Sequence, residues 1–205
     1  MINVRKLIVK CGGFLPQWTF YNKYLRYFRM LLYSGYIARR INVKDVNHFT
    51  VEPTARFVGF QHISIMSGHI RAFSRISAIN RYNTEKFNPK ILIGENCNIG
   101  QNNHIGAINY ISIGANFLSG ANCLITDHNH GGSEKLDIPP NDRKLHTKGP
   151  VIIGNNVHLG ENVIILSGVT IGNNVVIGAG SVVTKSLPDN TIVAGNPCKI
   201  LKIFK

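Results

Sequence analysis

In the C-terminal part of the chain a branched aliphatic residue returns every six positions, at Ile153, Leu159, Ile165, Ile171, Ile177 and Val183. Gly154, Gly160, Gly172 and Gly178 follow this ruler, and Val157, Val163, Val169, Val175 and Ser181 stand four places after each aliphatic residue. Upstream it runs through Ile93, Ile99 and Ile105 and then, after a two-residue slip, through Ile113, Ser119 and Ile125. A helix repeats near 3.6 residues and a lone strand at two, so neither gives six. Short strands joined by like corners do. Three hexads close a triangular coil, stacked coils pair their strands in parallel, and the aliphatics become internal ladders. The expected fold is all-β, a parallel β-helix of hexapeptide repeats.

The corners fit this reading, since Asn tolerates left-handed backbone and bonds its own turn, and Asn-Asn, Glu-Asn and Ala-Asn pairs follow the glycines. Cys97 and Cys123 fall at the four-after position and read as small buried hydrophobes. With Cys11 and Cys198 they show no metal-ligand spacing, so neither a disulfide framework nor a zinc knot is expected. Twenty glycines and only 16% charged residues in 205 also argue for turns and strands over helices.

Three segments leave the ruler. Residues 1–50 hold nine Lys or Arg against Asp45 alone, a large share of the net +13. Within them Tyr24, Leu25, Phe28, Leu31 and Leu32 recur at helical spacing, with Lys23, Arg26 and Arg29 on another edge, which predicts a short amphipathic helix. It either caps the first coil or rests on the inner face of a membrane as a peripheral contact. No apolar run reaches the length of a spanning helix and the first residues do not read as a secretory signal, so a cytoplasmic protein is expected. No nucleic-acid reading element accompanies the basic residues. The second segment, 81–90, is punctuated by Asn and Pro. The third lies between Ile125 and Ile153, where about 22 residues are looped out of one hexad step. The expected divisions are a basic, partly helical extension over 1–54, the β-helix over 55–190 with loops at 81–90 and 126–150, and a tail over 191–205.

The long loop opens with DHNHGG, and a stacked coil can hold reactive groups only at its corners or in loops braced by it. The segments IGNNV, VTIG, VIGAGSVVTK and AGNPCKI resemble the hexapeptide-repeat acyltransferases, left-handed parallel β-helix proteins, and most of all the branch that acetylates hydroxyls of sugars and surface polysaccharides. The resemblance covers about residues 55–205. It implies a homotrimer with active sites in the clefts between neighbours, acetyl-CoA as donor, direct transfer to a carbohydrate acceptor that is in some cases lipid-linked, and a His general base in this region. His suits that task because its pKa lies near the working pH. His128 is favoured, since Thr-Asp-His resembles the family's Thr-x-His pattern, with His130 the alternative. Asp127 either orients an imidazole or caps the turn.

The same resemblance places the pantetheine arm along the backbone at Gly160 and Ala179, with Thr184, Lys185 and Lys199 toward the phosphates. Asn102 and Asn103 are candidate acceptor contacts beneath the loop, as well as natural turn residues. His158 stands where relatives often carry Trp, which puts a stacking role in doubt. His104, one place before a ladder residue, joins His128 and His130 as a zinc candidate of the carbonic-anhydrase kind found in the superfamily, but the spacing is unlike that branch and no metal is expected. The remaining alternatives are acetylation of a small metabolite or antibiotic and a non-catalytic scaffold.

Overall fold

The computed structural model describes residues 15–131 and 137–204. Cys11 and part of the long loop lie outside them. The ladders set the architecture. Three parallel sheets form the faces of a β-helix, and one coil contributes a strand to each. The third sheet, which carries the site, runs in spatial order through Arg56–Val58, Arg75–Ala78, His104–Ala107, Leu124–Thr126, Ile164–Ile165 and Val182–Val183.

In the regular coils Ile153 lies opposite Ile171, Leu159 opposite Ile177 and Ile165 opposite Val183, each pair eighteen residues apart, which is three hexads. The earlier coils are longer. Ile93 pairs with Ile113 across twenty residues, which contains the two-residue slip. Ile65 pairs with Ile93 across twenty-eight, because the antiparallel hairpin Arg81–Tyr82 and Glu85–Lys86 leaves the coil. Ile113 pairs with Ile153 across forty, so about 22 residues are indeed set outside the stack. The ruler residues and the residues four places after them are buried in one continuous core. Each such aliphatic side chain contributes roughly 1.5–3 kcal/mol of transfer free energy.

The Asn corners align as well. Asn116, Asn156, Asn174 and Asn190 all have positive φ, and each of the first three donates its side-chain amide to the Asn of the next coil at 2.8–2.9 Å. Gly160 is fixed by close approach, since a Cβ there would lie 2.6 Å from the amide nitrogen of Ala179.

The structure moves the expected boundaries. Sheet pairing begins at Asn42–Val43, within the supposed extension, because Val43 already lies opposite Ile65. Within the expected tail Thr191–Ala194 continues the second sheet in parallel, and Lys199–Ile203 turns back on it antiparallel. Within the segment 81–90 the chain forms the hairpin, and Lys90 already opens the strand of the next coil.

Among the described residues one α-helix, α1 (Leu15–Ala38), precedes the coils. It packs against the first of them through its C-terminal residues. Ile37 is buried in the core, Ser34 accepts the Val51 N–H at 2.8 Å, and the Tyr33 hydroxyl donates to the Ala55 carbonyl. Tyr24, Leu25, Phe28, Leu31 and Leu32 point to solvent instead. A helical stripe of apolar residues shows that a face exists, and packing decides which face is covered. Among the described residues no helix is long and apolar enough to cross a membrane.

Candidate active site

The strand Leu124–Thr126 keeps the ladder register through Ile125 and ends one residue later. The next residue, Asp127, is fully buried. Its carboxylate accepts the N–H groups of Ile108 (2.9 Å) and Asn109 (2.8 Å), which lie at the same corner one coil earlier. This shelf fixes the point where the chain leaves the coil, and charge-assisted hydrogen bonds of this kind are short and strong.

The adjacent imidazole uses the same anchor. His128 Nδ1 lies 3.0 Å from Asp127 Oδ1 and 3.2 Å from Thr126 Oγ1. The Thr126 hydroxyl donates to the His128 carbonyl at 3.1 Å and accepts the His128 N–H at 3.3 Å. A proton on Nδ1 directed at the carboxylate leaves Nε2 with its lone pair free, the tautomer a general base requires. The His128 side chain is 11% exposed, enough to meet a ligand while largely shielded from water.

His130 has different surroundings. It is exposed, packs edge-on against the Tyr82 ring at 5.2 Å, and lies opposite Leu145 in a short antiparallel pair. No carboxylate orients it among the described residues.

The ring of a third histidine shares the space over Gly106. A Cβ on Gly106 would lie 3.2 Å from His104 Nε2 and 3.5 Å from His128 Cε1, so the absence of a side chain there leaves room for both imidazoles. His104 Nε2 is buried and has no hydrogen-bond partner among the described residues. Burial first, then the charge of Arg75 and that of His128, push the His104 pKa down to about 4, so it is neutral at physiological pH. Among the described residues no three His, Cys, Asp or Glu side chains converge to hold a metal ion, so His104, His128 and His130 do not assemble the zinc constellation.

Other sequence-derived candidates have varied fates. Asn103 is committed to its corner: its amide donates to Ser119 Oγ and to the Gly120 carbonyl, while its oxygen accepts the Cys123 N–H. Both of its amide hydrogens are thereby engaged within the corner. Asn102 adopts positive φ and donates to Asn122, a corner role. Asp127 is too buried to touch a substrate and acts on His128 instead.

On the donor side the Gly160 N–H is taken by the Ile177 carbonyl at 2.8 Å, so that atom serves the sheet. Ala179 is exposed, and the space around Gly180, at positive φ, is open. Thr184, Lys185 and Lys199 are exposed near this end of the stack. His158 projects from the second sheet between Leu118 and Val176, away from the third.

The loops at 81–90 and 126–150 meet each other: the Tyr82 hydroxyl donates to the Asn141 carbonyl at 2.8 Å, and Lys144 lies 3.4 Å from Glu85. Sequence reasoning missed Arg75 and Arg56, which precede His104 on the same sheet face. The signal was the inward pair Phe57 and Ile76, hidden because the hairpin at 81–86 breaks the ruler before Ile93.

The site is thus a carboxylate-held imidazole at the point where the repeat of a parallel β-helix ends. Residues 150–185 match the family described as bacterial transferase hexapeptide (six repeats), and the chain is similar to proteins named as acetyltransferases. It is 44% identical over 120 residues to WbbJ of Escherichia coli K12, named for O-acetyl transfer in lipopolysaccharide biosynthesis, covering 56% of this chain and 61% of that protein. It is 36% identical over 126 residues to galactoside O-acetyltransferase of Escherichia coli K12, covering 54% and 62%. The chain thus spans about three fifths of the length of the curated relatives it matches. Among solved structures, galactoside acetyltransferase in complex with coenzyme A matches with a TM-score of 0.52 at 26% identity, over 82% of this chain and 68% of that one. A point mutant of AntD, an N-acyltransferase from Bacillus cereus, in complex with dTDP and coenzyme A, matches with a TM-score of 0.65 at 24% identity, over 80% and 83%, a likeness of fold.

Proposed function

We propose that this chain is an O-acetyltransferase that moves acetyl from acetyl-CoA to a sugar hydroxyl by direct attack, with His128 as general base. The observation that carries the reading is the Asp127–His128 pair, a largely buried imidazole held through Nδ1 by a carboxylate that is itself pinned to two backbone N–H groups. His128 Nε2 takes the proton of the acceptor hydroxyl as its oxygen attacks the thioester carbonyl carbon. The C–S bond then breaks, and the departing thiolate receives that proton as CoA–SH. Asp127 stabilises the imidazolium formed between the two steps.

The donor side fits a long thin ligand. Leu124, Ile164 and Val182 form an apolar row on the outward face of the third sheet, suited to the pantetheine arm. Exposed backbone at Ala179 and Gly180 lies at its edge, with Gly160 stacked beneath and Thr184, Lys185 and Lys199 within the same end for the phosphates. The similarity to WbbJ, named for lipopolysaccharide biosynthesis, supports a unit of surface polysaccharide (O-antigen, capsule or exopolysaccharide) as the acceptor.

The test is a pair of single substitutions assayed by release of the CoA thiol. His128→Ala is expected to lower turnover by about 10²–10⁴-fold, while the rise in melting temperature on adding CoA is kept, as a ligand bound only to the native state requires. His130→Ala is expected to stay within about threefold of wild type, as suits a surface ring outside the proton path. Near-wild-type rates in both would remove the base from this loop. Mass spectrometry of surface glycan from cells with and without the protein locates the acceptor.

A further inference from the structure

The outward face of the third sheet changes character along the stack. Its register row reads Arg56, Arg75, His104, Leu124, Ile164 and Val182, one residue per coil. The later half is apolar and belongs to the donor side described above. The earlier half is basic, and the donor reading does not use it.

Arg56 and Arg75 stand directly opposite each other on neighbouring parallel strands, about 4.8 Å apart along the sheet. Both are exposed. Among the described residues neither has a carboxylate partner, and Arg75 Nε donates instead to Ser77 Oγ at 3.0 Å. Two like charges side by side repel, and the field of Arg75 also reaches His104, helping to keep it neutral. An anion over the two guanidinium groups would relieve that repulsion, and their planar forks match phosphate and carboxylate oxygens. The neighbouring His104 Nε2 is a buried polar atom without a partner among the described residues, and a buried nitrogen of that kind gains a full hydrogen bond when a ligand hydroxyl meets it. It faces the space over Gly106 that His128 also borders.

We propose that the acceptor is an anionic sugar, whose phosphate or carboxylate rests on Arg56 and Arg75 while a ring hydroxyl is held by His104 and the reacting hydroxyl meets His128. The inference rests on the acyl-transfer reading and names its substrate class. Arg56 to His104 spans two strand spacings, about 10 Å, the reach of one sugar ring with its charged substituent. Donor and acceptor then enter the same sheet face from opposite ends of the stack, and their reacting groups meet at its middle, beside the Asp127 shelf.

The full chain with acetyl-CoA would be assayed against matched acceptors: methyl hexosides, hexose 1-phosphates, UDP-hexoses and hexuronates. In parallel, calorimetry would measure inorganic pyrophosphate binding in the presence of saturating CoA. Anionic acceptors are expected to exceed their neutral partners in kcat/KM by at least about tenfold. Arg56→Gln and Arg75→Gln should each reduce that ratio by about tenfold, mainly through KM, and the double variant should lose pyrophosphate binding while keeping the CoA-induced thermal shift. Preference for phosphates over uronates, or the reverse, assigns the source of the charge.

The proposal is overturned if neutral acceptors do as well as anionic ones, or if both arginine variants keep the wild-type ratio. It is overturned equally if wild type fails to bind pyrophosphate, or the double variant binds it as tightly as wild type. Failure of the acyl-transfer reading has a separate signature, undiminished turnover in His128→Ala or no CoA-induced shift in wild type.

Discussion

The two halves of the third sheet share one interior and differ in everything they show to solvent. Phe57, Ile76, Ile105, Ile125, Ile165 and Val183 form a single buried ladder from the first coil to the last. One position away, the outward row passes from two arginines through a histidine to Leu124, Ile164 and Val182. The interior tolerates one kind of side chain and repeats it; the outer face has no packing demand and is free to vary with the ligand. His128 lies between the halves, held by a shelf that belongs to neither.

Breaking the shelf should give the largest effect short of removing the imidazole. Asp127→Ala leaves the N–H groups of Ile108 and Asn109 without acceptors in a buried corner, and the expected loss is about 3 kcal/mol in urea unfolding. Turnover should fall with it, because His128 loses the group that sets its tautomer; full stability in this variant would show that the shelf does not hold the corner. Gly106→Ala probes the space between the halves. Its Cβ would press on both rings, which should lower kcat by about tenfold with little change in melting temperature. An unaltered rate would mean that the space is not where the acceptor hydroxyl sits.

A smaller change separates the halves by ligand. Ile164→Ala shortens the apolar row and should weaken CoA binding about fourfold, as expected for a loss of buried methylene area. Arg75→Gln should leave the CoA dissociation constant as it is, and equal effects of the two would erase the division proposed for the face.

The smallest expected effect is a slope. His104 has a folded-state pKa of about 4, below that of the unfolded chain. Between the unfolded value near 6.5 and about 4, the unfolded state binds the extra proton, so stability falls as pH falls through that window and is fully present above it. His104→Asn should flatten this part of the stability–pH curve, measured by urea titration at several pH values. An unchanged slope would place His104 in a better-solvated setting.

The six-residue period was legible because each ladder position faces the same demand in every coil, and the extra 22 or so residues could be counted by subtraction. DHNHGG was legible as a site because titratable residues gather where the ruler ends. The preference for His128 over His130 was legible in Thr-Asp-His, but the contact that distinguishes the two rings was not, since it depends on Asp127 being drawn inward by backbone groups about eighteen residues earlier. The orientation of α1 was equally hidden: Ser34 and Ile37 meet the first coil, while the stronger apolar stripe faces out. Arg75 escaped notice because its register with His104 appears only after the hairpin at 81–86 is set aside.

The sequence by itself determined the period, the parallel stack and the place where the chain departs from it, because burial repeats one chemical requirement at fixed intervals. Only the tertiary structure decided which outward side chains are neighbours. Stacking brings residues of successive coils to about 4.8 Å whether eighteen or forty positions separate them, and the length of each excursion, which carries no periodic signal, sets which residue arrives beside which.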